Sequence, residues 1–172
     1  MSKDELGTMK LSKPVSLAIV VLRLMLSAWI GAAILFVITS VAEQTSEHFG
    51  SLIRDQLAAI RFPHYYFFGC CIHVSCLVLS GFVAMVSANA VRRRFLYVGV
   101  FVLLSAMGMI ADYQLVYQPL LELITPPGQV RTPEFTRLHN LSRYANQVHL
   151  SLMFVAAVIA SRSLPDKMPS SE

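Results

Sequence analysis

The chain has 172 residues, of which 55% are hydrophobic and only 14% charged, with a formal net charge of +4 and a mean hydropathy of +0.59. A soluble domain of this size carries about 25% charged residues, so the deficit argues against a water-soluble domain and for a membrane protein. The basic residues cluster between apolar runs and do not alternate with exposed aromatics along one face, which argues against nucleic acid as a partner.

The first element is a basic tail, residues 1–14, "MSKDELGTMKLSKP". The apolar run behind it is too long for a signal-peptide core, and no small-residue cleavage site closes it. A spanning helix needs about 20 mostly apolar residues. The run therefore reads as a retained span over residues 15–42, opened by Pro14, a natural first-turn residue. Arg23 within it has two readings. It lines an intramembrane pathway, or the span proper is Leu24–Ala42 and Arg23 snorkels to the interface. Trp29 reads as buried in the bundle, and Gly31 as a point of close helix approach.

Next comes "EQTSEHFGSLIRDQLAAIRFP", in which Leu52, Ile53, Leu57 and Ile60 recur at helical spacing. This predicts a short amphipathic helix lying on the membrane surface. The second span covers residues 62–89. Its Cys70, Cys71 and Cys76 read as small buried hydrophobes, since three cysteines in one apolar run make no disulfide framework. A tight turn, "NAVRRRF", holds Arg92, Arg93 and Arg94. The third span, residues 95–118, carries Gly108 and Asp112 and is closed by Pro119. A Pro/Gly-rich loop, "PLLELITPPGQVRTP", follows. The fourth span, residues 136–161, is capped by Thr132, with Pro133 at its first position and Glu134 in its first turn. Its first half, "EFTRLHNLSRYANQVHL", is polar enough to hide it from a hydropathy scan. Residues 163–172 form a short tail, so the membrane domain is residues 15–162.

Lys3, Lys10, Lys13, Arg92, Arg93, Arg94, Arg162 and Lys167 fall on one side of these spans, against Arg54, Arg61, Arg131, Arg137 and Arg143 on the other. The positive-inside rule then places both termini in the cytoplasm. The expected fold is all-α, an up-down-up-down four-helix membrane bundle.

With that topology the outer half of the bundle collects Arg61, His64, Asp112, Tyr113, Arg137, His139, Asn140, Ser142, Arg143, Asn146 and His149. His139, Ser142, Asn146 and His149 follow one another at spacings of three, four and three, which puts them on one broad side of a helix. Polar groups at membrane depth do not face lipid. The stripe should point inward and meet the second span and Asp112, with Asp112 the counter-ion of Arg137 or Arg143. Such a layer either ties helices together by hydrogen bonds or lines a cavity for a small polar ligand, ion or proton.

His73 lies at a depth similar to that of His149, in the similar strings "IHVS" and "VHLS". A narrower reading makes the two a ligand pair for haem b or a metal ion, although no CxxCH is present. Met25, Met85, Met107 and Met109 form no copper-type cluster. GxSxG, GxxxxGK[ST] and HExxH are absent, so no catalytic residue is assigned and no enzyme is expected.

Three strings carry a resemblance to a known family: "WIGAAILF" in the first span, "RFPHYY" opening the second, and "EFTRLHNLSRYANQ" opening the fourth. Together they resemble the transmembrane protein 205-like family, a four-helix domain of unknown function. Phe135, Leu138, His139, Ser142 and Asn146 match its motif before the fourth helix, and Asn140 stands where Gly is commonest in the family. The resemblance covers residues 22–159 and implies an integral membrane protein without established catalysis. Compact loops and short tails suit a bacterial inner-membrane member. The expected role is a small membrane component whose polar network binds or conducts something small. The alternatives are a haem- or metal-binding redox bundle and a structural subunit of a larger complex. The bilayer is the expected partner, and the residues leave homo-oligomers open.

Overall fold

The structure, a computed structural model, describes residues 12–163. The two expected tails, with Lys3, Lys10 and Lys167, lie almost wholly outside the described residues. Four helical segments are each long and apolar enough to cross a membrane. They are α1 (Lys13–Thr45), α2 (Ser51–Val86), a third crossing from Asn89 to Leu123, and α5 (Pro133–Ser161). The third crossing consists of α3 (Asn89–Asp112), a π-helical turn (Tyr113–Tyr117) and α4 (Gln118–Leu123). At about 1.5 Å per residue even the shortest exceeds the roughly 30 Å of hydrocarbon it must cross.

Short connections make neighbours antiparallel. The four crossings close into a ring: α1 packs on α2, α2 on α3, α3 on α5, and α5 back on α1. α2 and α5 therefore face each other across the bundle diagonal. One end holds the 46–50 and 124–132 connections, here the two-loop end; the other holds the 87–88 turn and the triple arginine. Leu22, Leu26 and Trp29 of α1, Cys76 and Val83 of α2, Phe95, Val98 and Val102 of α3, and Met153, Ala156 and Ala160 of α5 are all fully buried. The outer surface is the reverse of a soluble protein's. Phe67 is 72% exposed, Leu115 70% and Val78 66%. Such a surface is stable in lipid, where exposure of apolar groups carries no hydrophobic penalty. The protein is a multi-pass membrane bundle.

Each helix end has a local cause. Thr132 caps α5 by accepting from the Phe135 amide at 3.1 Å, and Pro133 needs no partner in the first turn. At the other end of α5, carbonyls left without amide partners are taken by arginines. Arg23 donates through Nε to the Ala160 carbonyl (2.7 Å), and Arg94 donates to those of Arg162 (2.9 Å) and Ser163 (3.0 Å). Cations there also complement the negative end of the helix dipole. Arg23 is thus a helix-end cap, closer to the interfacial reading than to a pathway.

Four expectations change. The surface helix between the first two spans is not a separate element. Residues 51–62 are the first turns of α2, which continues through Pro63 to Val86. Arg54 and Asp55 of this stretch turn toward the protein. Asp55, 1% exposed, accepts from the Gly128 amide at 2.9 Å and from Arg131, so the 124–132 connection is clasped to α2. Leu52, Ile53 and Ile60 are left outside. Pro119 does not close the third crossing either. Having no amide, it cannot serve the carbonyl of Leu115, and the chain widens into the π turn there, with Gln118 donating to Tyr113, before α4 resumes. Cys76 is buried as expected, but Cys70 and Cys71 are exposed on the lipid side. Gly31 is exposed with open space around it, so no helix approaches there. The close approaches are at Gly69 and, less tightly, at Gly99; Gly108 is in ordinary contact with His149.

Candidate functional site: two stacked polar layers

Three helices converge on a first polar layer nearer the two-loop end. The Tyr66 hydroxyl of α2 donates to Asp112 Oδ2 of α3 at 2.6 Å, and Ser142 Oγ of α5 donates to the same oxygen at 3.3 Å. Asp112 is 3% exposed. Its other oxygen, Oδ1, is buried without a partner among the described residues. Tyr65, beside it on α2, reaches across the diagonal and donates to Asn146 Oδ1 at 2.7 Å. Aromatic rings wall this layer. Tyr66 packs edge-on against Tyr113 (5.0 Å between centroids) and tilted against Tyr117 (5.2 Å), and Tyr65 stacks on Trp29 and Phe36. The π turn begins at the residue after Asp112, a device frequent at functional sites.

Deeper toward the triple-arginine end lies a second layer. His73 of α2 has Nδ1 2.7 Å from the Gly69 carbonyl and Nε2 2.9 Å from Ser105 Oγ of α3. Ser105 Oγ in turn lies 2.8 Å from the backbone carbonyl of His149 on α5. All three residues are buried to within 1%. Both ring nitrogens of His149 are buried without a partner, as is Trp29 Nε1. The Trp29 and His73 rings meet at near right angles, 5.6 Å apart.

Of the expected site residues, the structure brings Asp112, Ser142, Asn146, His149 and His73 into these layers. It leaves the others out. His139 and Asn140 are exposed; Leu138 occupies the inward position in that turn, and His139 stacks on Phe135 instead. Asn140 is on the exposed side of α5, not at the inward position of that turn. His64 is exposed and turned back on the Ile60 carbonyl. Arg61 lies between α1 and α2, paired with Glu43 at 2.6 Å. Asp112 is not the counter-ion of either arginine. Arg137 pairs with Glu134 one turn back, at 2.7 Å, and Arg143 is exposed with no carboxylate in ion-pair reach among the described residues. The reason is rotational. Ser142 holds the inward position, and each residue turns about 100° from the last, which carries Arg143 off the interface.

Tyr66, Ser105 and Asp55 carry the geometry without having been assigned a site role from sequence. A signal for the first two existed. Tyr66 and His73, Ser105 and Asp112, and Ser142 and His149 are each seven residues apart. Seven residues are close to two turns, so each pair shares a helix face at heights about 10 Å apart.

Haem or a metal ion shared by His73 and His149 would need a ring nitrogen from each. His149 has both free, but both nitrogens of His73 lie within hydrogen-bond distance of protein oxygens, and Ser105 bridges the two helices at that point. As arranged, the two side chains do not fit such a pair. Among the described residues no group of three or more His, Cys, Asp or Glu is placed to hold a metal ion. A groove of about 520 Å³ between α1 and α5 is lined by Ser27, Ile30, Phe154, Ala157, Val158, Ser161 and Arg162 and contains no member of either layer.

The class of protein these features define is a four-crossing membrane bundle with buried polar layers on three of its helices. Comparison with protein-family models, curated proteins and solved structures finds no match.

Proposed function

We propose that this protein takes up a small monovalent cation, a proton included, into the outer half of its bundle, with the Asp112 carboxylate as the binding group. The observation that carries the reading is Asp112 itself. The group is buried, one oxygen is committed to Tyr66 and Ser142, and the other has no partner. No Lys, Arg or His of the described residues pairs with it. A buried carboxylate without a cation is expensive, so the charge is met by a bound cation or removed by a proton. Tyr66 and Ser142 orient the carboxylate by holding one oxygen, which leaves the other for the ion.

The orientation that makes this half the outer one has both termini in the cytoplasm, and it rests on the arginine distribution. The compact loops suit a bacterial inner membrane. Membership in the transmembrane protein 205-like family is part of the same proposal. Trp29, Pro63 and the Ser142–Asn146 segment, which carry the resemblance, stand on the three helices α1, α2 and α5 around these layers.

The test is thermal unfolding of the purified protein in lipid nanodiscs with Li⁺, Na⁺, K⁺ and NH₄⁺ series at fixed ionic strength, repeated across pH. The expected result is stabilisation by one cation over the others, or by protons alone, that is lost in Asp112→Asn. Equal behaviour of the native protein and a folded Asp112→Asn variant in all series refutes the reading.

A further inference from the structure

The second layer contains a proton-counting conflict. Three short contacts run in a chain: Gly69 carbonyl to His73 Nδ1, His73 Nε2 to Ser105 Oγ, and Ser105 Oγ to the His149 carbonyl, at 2.7, 2.9 and 2.8 Å. Both ends of the chain are carbonyls, which only accept. A neutral imidazole brings one N–H and a serine one O–H. Two protons cannot make three hydrogen bonds. If His73 donates from Nδ1 and Ser105 donates to Nε2, the Ser105 and His149 oxygens face each other bare. If His73 donates from Nε2 and Ser105 donates to His149, Nδ1 and the Gly69 oxygen face each other bare. Protonating the imidazole removes the conflict. Both nitrogens then donate, Ser105 accepts from one and donates its own hydrogen bond to the His149 carbonyl, and all three contacts become hydrogen bonds.

We propose that the His73–Ser105–His149 layer is a proton-binding site, with the proton held on the His73 imidazole. Binding forms one N–H bond with a proton drawn from solvent, and no electrons are exchanged. The surroundings bear on the charge. From α1 the facing group is Trp29, whose ring centroid lies 5.6 Å from that of the imidazole at near right angles. From α3 it is Ser105, and from α5 it is His149, the titratable group of that helix in the layer. On α2 itself Cys76 lies three residues further along, and Asp112 is two turns away on α3. Burial opposes the charge; the completed hydrogen bonds offset it. A site balanced in this way can both take up and release its proton. His149, with two unpartnered ring nitrogens, is the next acceptor in the same layer. That the ion taken up at Asp112 is itself a proton rests on the preceding reading; the proton count at His73 does not.

The test is a pH titration of the full-length protein, ¹⁵N-labelled at histidine, in lipid nanodiscs, with the ring nitrogens followed by NMR. His73 is assigned by the signals lost in His73→Gln, and folding is followed in parallel by circular dichroism. The expected result is that His73 passes to a form with both ring nitrogens protonated while the protein remains folded. Ser105→Ala, which removes the bridging acceptor, should weaken proton binding at His73 about tenfold, the effect of losing one hydrogen bond to a charged group. Ser80→Ala, at a buried serine bonded within α2, should leave it unchanged. A His73 that keeps one bare nitrogen at every pH where the native protein is folded overturns the proposal, and so does a titration unaltered by Ser105→Ala. Asp112→Asn separates the two ideas: if ion-dependent stabilisation disappears while His73 still titrates, both stand. If His73 never titrates while the Asp112 effect persists, only this one fails.

Discussion

At the scale of single residues, the two neighbouring tyrosines of α2 separate a charged from a neutral hydrogen bond. Tyr66 donates to a carboxylate and Tyr65 to an amide oxygen. Hydrogen bonds to charged groups contribute about 1.5–3 kcal/mol, and neutral ones about 0.5–1.5 kcal/mol. Tyr66→Phe should therefore lower stability more than Tyr65→Phe, measured as the midpoint of thermal unfolding in nanodiscs. The ordering should collapse in an Asp112→Asn background, where the acceptor is no longer ionised. Equal effects in both backgrounds would mean that Asp112 is already neutral in the native protein. The sequence marked Asp112 because an acid inside an apolar run is costly without a partner. It did not mark Tyr66 as its partner, because a tyrosine in a span reads as an ordinary interfacial aromatic until a second helix is placed against it.

At the scale of elements, the glycines of α2 show how the helix is positioned. A Cβ on Gly69 would stand 2.6 Å from Trp29 Cη2 and 2.7 Å from Met109 Sδ, so α1 and α3 both close on this point. Gly69→Ala should destabilise by about 1–3 kcal/mol through overpacking. Gly81, on the same helix, has open space around it. Gly81→Ala should be neutral or should stabilise by about 0.5–1 kcal/mol through reduced backbone entropy in the unfolded chain. Both are read by thermal unfolding, and a larger loss at Gly81 than at Gly69 would contradict the packing. The Gly69 carbonyl is also the first acceptor of the His73 chain. An alanine that shifts this turn should therefore disturb the inner layer as well. Asp55 gives the corresponding lesson for the end of the helix. The apolar period of residues 52–60 suggested a surface helix, but one buried carboxylate bonded to Gly128 and Arg131 sets the rotation of the whole segment. Periodicity weighs apolar side chains together, and a single strong polar clasp outweighs them.

At the scale of the whole molecule, the apolar exterior and the arginine-rich end make a topological prediction. Reporter fusions at the C-terminus and within the 87–88 turn should be active on the cytoplasmic side, and fusions in the 124–132 connection on the opposite side. The reverse pattern would place the Asp112 layer in the inner half. The four crossings and the cap at Thr132 were legible in the amino-acid order because each depends on local quantities: the length of an apolar run, and a threonine before a proline. The polar face of α5 was legible to within one turn. Ser142, Asn146 and His149 do face inward, whereas His139 does not, because a stripe read at spacings of three and four tolerates an error of one residue at its end. The partners of those groups were not legible. That Asp112 meets Tyr66 and Ser142 instead of an arginine, and that Ser105 links His73 to His149 across a diagonal, depends on the ring order of the helices and on their relative heights. Those are settled by packing between segments far apart in the chain. The sequence by itself determined a membrane bundle with polar groups inside it. Only the tertiary structure resolved these into two layers on three helices, with one oxygen of Asp112 and both ring nitrogens of His149 left without partners, because a hydrogen bond needs both its atoms in place and the sequence lists them singly.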